Sequence, residues 1–158
     1  MAVFEPTRII PELRRLDPWA FWAAPGGPSG FDLIVVGTTG VFPVIVSDAE
    51  GYLNVSFGRM KVGGERVASV RTMRSGARRL RSRLCEMAVY GDVEPILCLT
   101  RATIGGPRSA KGVWAATPAD MVKLIARRAS SVSRPQAKRV AQTLGAKTVS
   151  ARRDDRSD

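Results

Sequence analysis

The strongest hydrophobic pattern in the chain falls in residues 31–50, FDLIVVGTTGVFPVIVSDAE. Two β-branched runs, 33–36 and 41–46, flank a Gly-Thr-Thr-Gly turn at 37–40. Short apolar runs punctuated by turn residues predict two neighbouring strands of a buried sheet. Upstream, 9–16 predicts a short amphipathic helix started by Pro11. Residues 19–24 predict a strand, followed by the loop Pro-Gly-Gly-Pro-Ser-Gly at 25–30. Downstream, YLNVSF at 52–57 alternates polar and apolar and predicts a third strand, and Gly63-Gly64 turns the chain towards 67–70.

Residues 69–88 carry the clearest helical period. Val70, Met73, Ala77, Leu80, Leu84 and Met87 recur every three or four positions and so share one face. Arg71, Arg74, Arg78 and Arg81 repeat that spacing one position on, a second stripe about 100° round the helix. Arg79 and Arg83 flank the other edge, and Gly76 weakens the middle modestly. Tyr90-Gly91 closes the element. Residues 95–100 are a continuous apolar run of the kind found in buried strands. A loop with Gly105, Gly106 and Pro107 leads to a short strand at 112–116. Thr117 as N-cap and Pro118 at the first position then start a helix that runs to Arg128. A Ser-rich stretch, 130–133, precedes a basic helix at 134–144, and the tail from Thr148 reads as disordered.

Strands first, then helix, strand, strand, helix and helix, predict an α/β fold: a mixed central sheet flanked by helices. The expected organisation is an N-terminal helical extension (1–18), a core (19–129), a C-terminal basic helix (130–147) and a tail (148–158). The 158 residues, 44% hydrophobic and 25% charged, have the composition of one ordinary globular domain. No run approaches the roughly 20 apolar residues that span a bilayer, and the N-terminal stretch has no leader-like apolar block. No membrane association and a cytoplasmic location (or a virion, for a phage protein) are therefore expected. The chain has no histidine, which removes Ser-His triads and His-ligated metals from consideration. Cys85 and Cys98 are expected as reduced core residues, and Trp19, Trp22 and Trp114 as core.

Charge changes this picture. The net charge is +11, and 20 of the 25 basic residues are arginine. Residues 1–58 carry three basic and six acidic side chains, whereas 59–158 carry 22 basic and eight acidic. Arginine's planar fork suits phosphate, so the asymmetry points to a polyanion, most simply nucleic acid. Arginine use imposed by a high-GC genome is the alternative source of the same composition.

The order of several strings resembles the nuclease-related domain (NERD) family, a branch of the PD-(D/E)xK restriction-endonuclease-like fold. FDLIVVGTTGVFPVI (31–45) is similar to the family's Asp-containing strand, glycine turn and Gly-Val-Phe strand. VEPILCLTRA (93–102) resembles its late core strand, and KGVWAATPADMVKLIARR (111–128) its closing strand and helix. SRPQAKRV (133–140) resembles the last helix of actinobacterial members. The resemblance implies a Mg²⁺ site with Asp32 as one ligand. It also implies a carboxylate and a lysine two residues apart directly after Gly-Val-Phe. Pro43, Val44, Ile45, Val46 and Ser47 occupy that stretch, so the implied site is degenerate. No clear counterpart is present of the glutamine that active members often carry on the following helix.

Three functions follow. The first is a nucleic-acid-binding protein on a nuclease-like fold that has lost catalysis and needs no cofactor. It would grip the backbone of DNA, rather than RNA, through Arg71, Arg74, Arg78, Arg79, Arg81 and Arg83. The second is a Mg²⁺-dependent endonuclease with a migrated site built from Asp32, Asp48 and Glu50, with Lys61 or Arg59 in place of the missing lysine. The third is a structural or interaction component of a phage particle or mobile element, with a protein assembly partner.

Overall fold

The computed structural model describes residues 4–149. The amphipathic stretch at 9–16 is broken in two, because Pro11 disfavours helical dihedrals at Ile10, which is extended (φ −134°, ψ 93°). A helical turn, α1 (Pro6–Ile9), precedes that break and a 3₁₀ turn (Pro11–Arg15) follows it. Three antiparallel strands come next: β1 (Phe21–Pro25), β2 (Leu33–Gly37) and β3 (Gly40–Ser47). The chain then forms β4 (Gly51–Ser56), β5 (Arg59–Val62) and the short β6 (Glu65–Arg66), and only then α2 (Val70–Glu86). Beyond α2 lie β7 (Ile96–Leu99), β8 (Ala102–Thr103), β9 (Arg108–Ala110) and β10 (Val113–Ala116). Two helices, α3 (Pro118–Arg127) and α4 (Arg134–Thr143), precede a last strand, β11 (Lys147–Thr148).

The central sheet is mixed, in the order β11-β1-β2-β3-β7-β10-β9, with β3–β7 and β7–β10 parallel and the other pairs antiparallel. β2 is buried along its whole length, as its unbroken apolar run requires. On one face of the sheet, Leu33, Val35, Phe42, Val44 and Ile96 pack with Leu13, Met121 and Ile125 from the N-terminal segment and α3. On the other, Ile34, Val36 and Val41 meet Leu80 and Leu84 of α2 and Val140 of α4. A second sheet, β6-β5-β4-β8, lays its inner face, Leu53, Met60 and Val62, against Val70 and Met73 of α2 and against Leu97 and Leu99 of β7. The architecture is thus α/β, a mixed central sheet flanked by helices, with a small sheet seated over one end of α2. No helix among the described residues is long and apolar enough to cross a membrane.

Several expectations need correction. Trp19 is not core: it precedes β1 and is 64% exposed, with the Arg134 guanidinium 3.6 Å from its ring centroid. Trp22 and Trp114 are half-buried. The turn at Gly63-Gly64 leads into a short strand that the pattern did not show, Glu65–Arg66, which pairs with β5. Residues 108–110, expected as loop, are β9 and supply the antiparallel partner of β10. Thr148, expected as the start of a disordered tail, pairs with Trp22 in the outermost strand. Residues 150–158 lie outside the described residues.

The two cysteines part company as well. Cys98 lies fully buried in β7, where burial above all, and the Glu12 carboxylate second, push its thiol up to about 12. Cys85, expected in the core, is exposed on α2, and neither is bridged. A thiol-specific disulfide reagent at pH 8 is therefore expected to label one cysteine of the native protein rapidly. The second should react only on unfolding, since the thiolate is the nucleophile. Two equally fast reactions would show that β7 is not the buried strand described.

Candidate nucleic-acid interface

Asp32 stands where β2 begins, beside the end of β3. Its backbone N–H donates to the Val44 carbonyl at 2.9 Å and its Oδ2 accepts the Val46 N–H at 2.6 Å, which extends the β2–β3 ladder by one side-chain bond. Asp48 is exposed just past β3, and Glu50, four residues past Val46, pairs with Arg101. Lys61 and Arg59 project from the outer face of β5 into a cleft of about 590 Å³ with Tyr52, Asn54 and Ser56, a cleft that no carboxylate lines. Among the described residues, no three His, Cys, Asp or Glu side chains gather as metal ligands. One acid is bonded to backbone, another to an arginine, and the lysine faces a different cleft. This donor set does not fit the Mg²⁺ that the resemblance implies.

A different site is well assembled. The β4–β5 hairpin, β6, the first turns of α2 and the β9–β10 turn enclose a groove of about 610 Å³. Arg59, Arg66, Arg71, Arg74, Arg78 and Lys111 line it, with Ser69, Ser75 and Phe57, and no carboxylate does. Four of the six cations arrive for a local reason. Alternation along β4 and β5 buries Leu53, Met60 and Val62 and turns Arg59 outwards. The apolar stripe of α2 is pinned inwards at Val70, Met73, Ala77, Leu80 and Leu84, which leaves Arg71, Arg74 and Arg78 on the groove side. The Ser69 side chain caps α2 by accepting the Thr72 N–H, and the first turn holds no acid, so the positive end of the helix dipole adds to the same field.

The six arginines of α2 do not act as one surface. Arg71, Arg74 and Arg78 enter the groove; Arg81 lines a separate hollow with Asp92, Glu94 and Arg128. Arg79 and Arg83 lie round the helix in an apolar-leaning pocket with Pro25, Ile34 and Leu144. Part of the basic C-terminal half is structural. Arg128 bonds Glu94 at 2.9 Å, which also accepts the Trp114 indole N–H, and Arg139 donates to the Met87 carbonyl at the end of α2. Arg134 stacks on Trp19 and donates to its carbonyl.

Helical spacing located three of the six groove cations. Arg66 and Lys111 escaped it, because neither lies on α2, and Arg59 entered only as a stand-in for a catalytic lysine. The only local trace of the two tips is the glycine after Phe57 and after Lys111, and neither dipeptide is the Asn-Gly or Asp-Gly pair that marks a tight hairpin. Comparison with family models, with curated proteins and with solved structures gives no match.

Proposed function

We propose that the protein binds nucleic acid by its phosphate backbone, in the groove between α2, the β4–β5 hairpin and the β9–β10 turn, and does not cut it. The observation that carries this reading is the convergence of six cations from four separate chain segments on one groove free of carboxylates. Arginine use set by genome composition scatters cations and leaves acids among them; it does not gather them. Mutual repulsion of six like charges opposes folding, and a polyanion offsets it. DNA is the expected target, from the resemblance to the nuclease-related domain. The position of Asp32 beside the end of β3 supports a nuclease-like ancestry, and the absence of a neighbouring lysine supports a retired site.

The test is incubation with circular single-stranded and supercoiled DNA in Mg²⁺, Mn²⁺ or EDTA, beside Asp32→Ala. A gel shift that weakens steeply with salt is expected, with no cleavage in any lane. Metal-dependent cutting that Asp32→Ala abolishes would overturn the binding-only reading. Absence of any shift at low salt would overturn nucleic-acid binding itself and leave an assembly role in a phage particle or mobile element in front.

A further inference from the structure

The groove is flanked by two hairpin tips built in the same unusual way. Ser56 pairs with Arg59 and Ala110 with Val113, so each hairpin closes through two residues, Phe57-Gly58 and Lys111-Gly112. All four have positive φ: 52° and 72° in the first tip, 51° and 84° in the second. That is the type I′ turn, whose first position favours asparagine, aspartate or glycine because a larger side chain meets the backbone there. A phenylalanine and a lysine hold these positions instead. The tips also touch, for a Cβ on Gly58 would stand 2.6 Å from the Lys111 side chain.

Nothing within the fold repays this choice. Phe57 is 97% exposed and adds no burial to any core cluster. It instead lines both clefts of the small sheet, the six-cation groove on one side and the Tyr52–Lys61 cleft on the other. Tyr52, in that second cleft, is 77% exposed. An aromatic held in a strained turn, open to solvent, with a lysine against the glycine that follows it and arginines on one side, has the composition of a base-stacking platform beside a phosphate track.

We propose that Phe57 stacks on an unpaired base, so that the ligand of the groove is single-stranded nucleic acid, with Lys111 and the groove arginines on the flanking phosphates and Tyr52 as a second stacking face. This rests on the nucleic-acid reading above and narrows it. A duplex keeps its bases stacked on one another and offers the exposed ring only its backbone. A single strand presents free base faces, and stacking tolerates any sequence.

The deciding variant is Phe57→Asn, because Asn-Gly is the preferred type I′ pair. It removes the ring while relieving the turn, so thermal unfolding at or above the wild-type temperature is expected. Binding is measured with a 20-nucleotide single strand of mixed sequence, the matching duplex, and heparin as a base-free polyanion. A single strand carrying 2-aminopurine reports stacking by fluorescence quenching. Loss of one stacked base corresponds to a roughly tenfold weaker single-strand affinity. Phe57→Asn is expected to show that loss together with loss of the quenching, while heparin and duplex binding change less than about twofold. Wild-type affinity of the variant for the single strand, or an equal loss on single strand and heparin, would overturn the stacking role and leave phosphate binding standing. Failure of the wild-type protein to bind any of the three would overturn both.

Discussion

Replacing Arg71 and Arg74 together with glutamate is expected to weaken DNA binding by about 10- to 100-fold at moderate salt, the loss of two charge-assisted contacts. Both residues line the groove beside Arg59, Arg66, Arg78 and Lys111. If each of the six cations neutralises one phosphate, log affinity for a single strand falls with log salt at a slope of about −4, and the double variant should bring that slope to about −3. The matched control is Arg79→Glu with Arg83→Glu. These arginines sit on the same helix but line the pocket with Pro25 and Leu144, away from the groove. The control variant alters the net charge by the same amount, yet it should change affinity by less than about threefold and leave the slope near the wild-type value. Folding separates the two explanations of a loss. Glutamate at position 71 falls in the first turn of α2, which holds no acid, so it gains from the helix dipole and the groove variant should unfold no more easily than wild type. Equal losses in the two double variants would mean that net charge, not the groove, holds the ligand.

What the sequence disclosed and what it withheld divide along physical lines. The central strands were legible because apolar runs that must be buried on both faces have no other use; β2 and β3 differ from the expected bounds by a residue at each end or less. The helix cap at Thr117 was legible because an N-cap is a local hydrogen bond, and its side chain accepts the Asp120 N–H; for α4 the Ser-rich stretch marked only where the helix begins, and the structure identifies Ser133 as its cap. The second sheet was only half visible. Its strands are short, and β8 joins it from across α2 and β7, a pairing that local pattern does not encode. The restriction-endonuclease-like identity of the fold rests on the resemblance alone. For the candidate site, helical period showed which arginines share a face of α2 but not what each face meets. Arg81 ends beside Asp92 and Glu94 because the loop after α2 folds back there, and the groove exists because the β4–β5 and β9–β10 tips close over the start of the helix. The acids at 32, 48 and 50 were conspicuous in sequence, and the structure disperses them: one to backbone, one to Arg101, one to solvent.

Gly76→Ala is expected to destabilise the wild-type protein by about 1–2 kcal/mol, although alanine is worth about 1 kcal/mol more than glycine in a helix interior. A Cβ at position 76 would stand 2.7 Å from Phe31 Cε2 and 3.1 Å from its Cζ. The ring has little room to retreat. Phe31 is buried against Val70, Met73 and the small sheet, and its carbonyl lies so close to Gly26 that a Cβ there would stand 1.7 Å from it. Phe31→Ala alone should cost about 3–5 kcal/mol, the usual penalty for emptying a buried phenylalanine site. The informative measurement is the double variant in urea unfolding. With the ring gone, the alanine at 76 meets open space and its helix propensity is expressed, so Gly76→Ala should become stabilising by up to about 1 kcal/mol in the Phe31→Ala background. That reversal of sign, a coupling of about 2–3 kcal/mol, identifies the Phe31–Gly76 contact as the seat of α2. A constant penalty in both backgrounds would place the cost of alanine elsewhere. Arg74 and Arg78, two residues either side of Gly76, face the opposite way, so the contact that seats the helix also sets how far these arginines reach into the groove. A helix lifted by Gly76→Ala carries them with it, and DNA affinity measured on that variant should shift although no basic residue has changed.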